Sequence, residues 1–289
     1  MPAGERRLLA LHSAGRCLAL DAPERLVAWW PRIGRHLPDA VLRPLPPDAS
    51  PTAVRLPEGL DEGDTRRWLG AQLHQVHLER DTLCVHAVGV RPPDEERAVL
   101  LLGGHGAGKS LVALGLVEAG WRVLAGDVAL LNVAEGRISA VGGTAAFVVR
   151  RAPVRRWFPG LGLDEAGPAT LDLGDRPELT TQRPMRPVPL THAVLVDVDG
   201  DPAGEAGVIR RLDAHTAATV WLRASGHLLD RVTENAAGPA LCEVEGHAAH
   251  RRRLGLVRLL ANAVPTHAGW GAPQGIAARV ATGVWHERP

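Results

Sequence analysis

Eight consecutive residues, Gly103-Gly104-His105-Gly106-Ala107-Gly108-Lys109-Ser110, carry the clearest chemistry in the chain. They read G-x-x-x-x-G-K-[ST], the pattern of a loop that cradles phosphates. Glycines tolerate positive φ, so successive N–H groups can turn inward and form an anion-binding nest at the positive end of a following helix. In such a loop Lys109 places an ammonium on the β and γ phosphates of a nucleotide, and the Ser110 hydroxyl suits Mg²⁺. Lys109 is also the only lysine among 33 basic residues. Every other basic position is arginine, and a compact charge on a flexible stem is kept where the loop needs one.

Other residue types with chemical potential are scattered. Asp127 follows the apolar stretch Trp121 to Ala125, at the strand end where phosphate-loop enzymes place a metal-binding acid. Arg150, Arg151, Arg155 and Arg156 form a basic cluster that could clamp a phosphate or an acidic substrate, although for most of them a solvated loop is the readier reading. His74 and His77 stand three apart on an expected helix, with no carboxylate or cysteine at matching spacing, which reads as solvated or half-buried histidine rather than as a metal site. Cys17, Cys84 and Cys242 are odd in number and in no C-x-x-C spacing, so neither a disulfide framework nor a cysteine zinc site is indicated.

The elements that must position these groups follow from hydrophobic patterning. Ala98 to Leu102 is an apolar strand before the loop and Leu111 to Glu118 a helix after it, the order the loop requires. Thr82 to Val90 is a strong strand with His86 in its middle, paired as a hairpin with Ala98 to Leu102. Val128 to Val133, Arg137 to Val141, His192 to Val198 and Ile209 to Leu212 read as further strands. Earlier in the chain, Arg7 to Leu20 reads as a hairpin. Asp21 is placed to cap a helix bearing Leu26, Trp30, Ile33 and Leu37, and Asp64 to cap one from Thr65 to Glu79. Pro38 to Pro57 is a proline-rich connector and Gly160 to Pro189 a long surface loop. Asp213 caps a helix through Leu222, and Ala248 to Leu260 is another helix.

The chain's 289 residues accommodate two units of unequal size, a leading substrate domain over 1–80 and a catalytic domain over 81–289. Hydrophobic residues at 45% and charged residues at 22% are globular values, and a net charge of +1 gives no field to gather nucleic acid or an anionic membrane. The N-terminus lacks an apolar stretch of signal-peptide length and no later run approaches a membrane span, so the expected setting is reducing and cytoplasmic.

Several of these pieces occur together in one family. Leu83-Cys84-Val85-His86-Ala87, the strand, the glycine-rich loop, a ten-residue helix and Gly120-Trp121-Arg122-Val123-Leu124-Ala125-Gly126-Asp127 resemble the catalytic core of the HPr kinase/phosphorylase family. The closer resemblance is to HPr-kinase-like serine kinases found beside peptide natural-product genes, including those that phosphorylate lasso precursor peptides. It spans roughly Thr82 to Pro265. It implies an α/β fold with a PEP-carboxykinase-like P-loop core behind a small α+β domain, and transfer of a phosphoryl group from ATP with Mg²⁺ to a serine of a peptide or small protein. A mid-strand histidine alone reads as a core residue; the resemblance puts His86 near the transferred phosphate. Gly103 to Leu111 and Arg150 would bind the nucleotide, Ser110 and Asp127 the metal, with Lys109, Asp127 and His86 catalytic. The family pattern has two adjacent acids where this chain has Gly126-Asp127, so either Asp127 is expected to serve metal and proton together or another carboxylate to enter from elsewhere. A degenerate kinase acting as a nucleotide-binding partner protein, or a small-molecule kinase, is the alternative, and a homo-oligomer is left open.

Overall fold

The computed structural model describes residues 5–45, 52–161, 166–181, 186–200, 207–230, 240–283 and 285. Strands β1 (Arg6–Ser13) and β2 (Arg16–Pro23) pair antiparallel around a turn in which Ala14 and Gly15 both take positive φ, as a tight hairpin demands. Helix α1 (Arg25–Ile33) starts after Glu24, not Asp21. Asp21 instead remains in β2, where its carboxylate accepts a 2.9 Å bond from Arg6, so pairing along the strand wins over capping. A 3-10 turn, Gly34–His36, ends the helix. The expected connector contains two strands, β3 (Ala40–Pro44) and β4 (Val54–Arg55), although 46–51 lie outside the described residues. The sheet order is β3-β1-β2-β4. Helix α2 (Glu62–Leu78) is capped by Asp61, whose side chain accepts from the Asp64 N–H. Asp64 is itself buried and paired with Arg67 at 2.7 Å, one turn inside the cap the sequence suggests.

The rest is a large mixed α/β layer. In chain order it comprises β5 (Thr82–Arg91), β6 (Ala98–Leu102), α3 (Lys109–Glu118), β7 (Arg122–Ala125), β8 (Val128–Ala134), β9 (Arg137–Gly143) and β10 (Val148–Arg150). Then come α4 (Arg151–Trp157), β11 (Thr170–Asp172), β12 (Val188–Val198), β13 (Val208–Arg211) and α5 (Ala214–Gly226). Last are α6 (His247–Ala263), β14 (Thr266–Gly271) and α7 (Pro273–Thr282), of which neither β14 nor α7 is evident from the sequence pattern. The order across the sheet is β13-β14-β12-β6-β5-β8-β9, with β7 also on β5. Strand β12 runs parallel to β6 and β14 while its first residues, Val188 and Pro189, pair antiparallel with β9.

Strand alternation sends side chains to two cores. Val99 and Leu101 of β6 join Val88 and Val90 beneath α3 and α7. Ala98, Leu100 and Leu102 join Leu83, Val85 and Ala87 under α5 and α6. Both faces of the sheet are therefore covered, which is why β5 and β6 read as unbroken apolar runs. A third core, with Leu9, Leu11, Leu20, Leu26, Trp68 and Leu69, fills the space under the N-terminal sheet and takes in Leu229 and Leu241 from far along the chain. Trp29 and Trp30 pack partly buried against it. Among the described residues no helix is long and apolar enough to cross a membrane.

Candidate active site

The candidate site lies where β5 changes neighbours. From Thr82 to His86 the strand pairs with β8, and from Ala87 to Val90 with β6. Between β7 and β8 the chain breaks at Gly126-Asp127, and the Asp127 carbonyl accepts a 2.9 Å bond from the Ala87 N–H. The end of β6, the middle of β5 and the start of β8 thus converge, as ligand sites do at switch points of open α/β sheets.

The loop from β6 to α3 takes positive φ at Gly103, Gly106 and Gly108. At two of these a side chain would meet a second obstacle. A Cβ at Gly108 would lie 2.3 Å from Val198 Cγ2, and one at Gly103 would lie 3.0 Å from the Val196 carbonyl oxygen. The loop therefore packs tightly on β12, and α3 begins at Lys109 directly after it, so the positive end of the helix lies at the loop. Lys109 is buried, and Nζ donates to the carbonyls of Gly103 at 2.8 Å and Gly104 at 3.1 Å. Burial lowers its pKa to about 8, against the pull of Asp127.

His86 Nε2 lies 3.3 Å from Lys109 Nζ and 3.2 Å from Asp127 Oδ1. A protonated Nε2 donates to the carboxylate; an unprotonated one accepts from the ammonium, so the tautomer decides which bond forms. His227, just past α5, stacks on His86 with ring centroids 3.6 Å apart. Asp127 is half exposed, and its backbone is fixed by Thr144, whose Oγ1 accepts from the N–H groups of Asp127 at 2.8 Å and Val128 at 3.1 Å. Gly126 has no room for the acid the family pattern would place there: a Cβ would sit 2.0 Å from the Ala146 carbonyl oxygen.

These groups face one cavity of about 940 Å³. Gly104, His105, Gly106, Ala107, Gly108, Lys109, Ser110 and Leu111 line it, with His86, Asp127 and Arg150; of the expected site residues only Gly103 is not part of the lining. Ser110 Oγ makes a long 3.4 Å bond to the Val148 carbonyl, and Arg150 contacts His105. The basic cluster is not a loop: Arg150 ends β10 and the other three lie on α4, from which Arg156 also reaches the cavity. Sequence reasoning missed His36, Arg66 and Asp172 on its walls. They come from segments without a motif, the first two from the 3-10 turn after α1 and from α2. Asp172 is an acid in the right place from an unexpected strand, but Arg35 Nε lies 2.9 Å from Oδ2, and Oδ1 accepts from the N–H groups of Phe147 and Gly174.

His74 and His77 are fully buried rather than solvated. His77 Nε2 meets Ser13 Oγ at 2.8 Å, and burial drops the pKa of His77 to about 4. Among the described residues no group of three or more His, Cys, Asp or Glu side chains forms a metal cluster. No family model matches the chain, and no curated protein matches it either. Fold and cavity together define an α/β protein with a glycine-lined site suited to an anionic ligand.

Proposed function

We propose that this chain is a phosphotransferase of the HPr-kinase-like kind, moving the γ-phosphoryl group of ATP to a serine hydroxyl of a peptide or small protein. The observation that carries the reading is that one cavity is lined at once by the glycine loop with Lys109, by the His86–Asp127 pair and by Arg150. Loop N–H groups and Lys109 hold the phosphates, and Arg150 faces charge that develops during transfer. Ser110 Oγ and the half-exposed Asp127 carboxylate are hard oxygen donors opening onto the same space, a set that fits Mg²⁺, which would neutralise phosphate charge there. In transfer the acceptor oxygen bonds to the γ phosphorus, the bond to the bridging oxygen breaks, ADP leaves with that electron pair, and the hydroxyl proton goes to a base in the cavity. Most of the acceleration comes from positioning and charge stabilisation.

Incubating the protein with ATP, Mg²⁺ and serine-containing peptides and following a mass gain of one phosphate tests this. Lys109→Ala should reduce transfer by at least about 10²-fold while the fold survives. A Lys109→Ala protein as fast as wild type would sink the mechanism. One observation favours a second reading, a nucleotide-binding partner protein without turnover: of the two acids on the cavity wall among the described residues, Asp172 is already engaged by Arg35. ATP binding by calorimetry with no transfer to peptides, free serine or sugars would select that reading.

A further inference from the structure

The inference rests on the phosphotransferase reading and concerns the one task that reading leaves doubly loaded. Asp127 is expected to hold the metal and also to take the acceptor's proton, because Gly126 cannot carry a second carboxylate against the Ala146 carbonyl. A carboxylate bound to a divalent cation is a weakened base. Another group on the cavity wall is suited to the second task.

His36 belongs to the 3-10 turn after α1, within the N-terminal unit, yet its side chain lines the cavity with the loop and Asp127. Its placement is fixed by the backbone. The Arg35 carbonyl accepts a 2.9 Å bond from the Ala146 N–H, and the Leu37 N–H donates to the Gly34 carbonyl at 3.0 Å. Gly34 lets the turn lie on the Trp30 ring, since a Cβ there would come within 2.7 Å of it. Leu37, next in sequence, is buried in the N-terminal core and anchors the segment. Ala146, whose N–H the turn accepts, is also the residue whose carbonyl closes off Gly126. The segment that excludes an acid at 126 thus also anchors the turn that bears His36.

We propose that His36 is the base that receives the acceptor's hydroxyl proton, leaving Asp127 to the metal. The acceptor then enters between the N-terminal wall, formed by His36, Leu37, Pro38 and Gly70, and the phosphate loop. As the acceptor O–P bond forms and ADP departs, the proton moves to a His36 ring nitrogen and later to solvent. The charged groups around His36 are Arg66 of α2, Asp172 of β11, its neighbour Arg35, and Asp127. Burial, aided by Arg66 and opposed by Asp172, holds its pKa below the ordinary value, which keeps the ring neutral and able to accept at pH 7.

The test uses the full chain, with γ-labelled ATP and two probe acceptors, water and a mixture of serine peptides. His36→Ala should lower turnover by about 10²-fold or more, leave the ATP Kd within about twofold, and recover part of the rate when imidazole is added. A rate within about twofold of wild type overturns the proposal, and so does a loss that imidazole leaves untouched. His36→Gln, which fills similar space, carries the rate and Kd comparison, without imidazole rescue, if the alanine chain folds poorly. Wild-type ATP binding reads the site separately: a chain that binds no ATP overturns the phosphotransferase reading itself, whereas turnover indifferent to His36 overturns only the assignment of the base. A wild-type chain that binds ATP yet turns over neither probe overturns both.

Discussion

Lys109 is held in a conflict between its charge and its burial, and the conflict has a pH signature. Its folded pKa of about 8 lies below the ordinary 10.5. Between those values the unfolded chain retains a proton that the folded chain has released, so stability without ligand should rise as pH climbs from about 8 to about 10.5. Phosphate favours the ammonium. Above pH 8 nucleotide binding should therefore take up a proton and weaken, by up to about tenfold per pH unit. Calorimetry in two buffers of different ionisation heat measures that uptake; pH-independent binding without uptake would refute it. Gly126 makes a second residue-level case. Gly126→Ala forces a Cβ against backbone that has no flexible end to swing aside, so it should cost about 3 kcal/mol or more, read as a drop in Tm, and Gly126→Asp should reduce rather than restore activity.

Elements position the site through a few hinges of hydrogen bonding. Thr144 follows β9, and its single hydroxyl oxygen holds two N–H groups at the β7–β8 break. Thr144→Val keeps the shape and removes that acceptor. It should destabilise by about 1–3 kcal/mol and lower turnover because Asp127 loses its fixed backbone, while Thr144→Ser should behave nearly as wild type. Equal Tm and turnover in the valine variant would contradict this. Elements of this kind were legible in the sequence to different degrees. The β5–β6 hairpin, the loop and α3 stand out because apolar runs and glycine spacing are local signals. The turn at Gly126-Asp127 was visible as an interruption, but its reason was not, since the obstructing Ala146 carbonyl lies twenty residues on. Helix starts were displaced where a nearby aspartate found a stronger partner: Asp21 with Arg6, and Asp64 with Arg67. His36 was silent because its meaning depends on docking between distant segments, which no periodicity encodes.

At the scale of the whole molecule, the N-terminal sheet and the larger layer are joined by buried charge as well as by a shared core. Glu245 pairs with Arg253 at 2.7 Å and lies 3.8 Å from His74 of α2, with both glutamate and histidine side chains nearly inaccessible. Burial alone would raise the Glu245 pKa, but His74, Arg253 and His250 together hold it well below the usual carboxylate range. Its contribution is thus fully present above the ordinary carboxylate pKa and is lost progressively as pH falls below it into the acid range. Glu245→Gln should cost about 3 kcal/mol by leaving Arg253 buried without its counterion, seen in a urea unfolding midpoint. The shared core has a consequence in time. A ribosome releases the N-terminal strands and α2 first, yet Leu229 and Leu241, which complete their core, lie 151 and 163 residues beyond the end of α2 at Leu78. At about 5–20 residues per second the leading sheet waits on the order of ten seconds for its last contacts. Synthesis order and folding order are therefore uncoupled at the start of the chain, and nascent chains halted short of residue 229 should leave the first eighty residues open to protease.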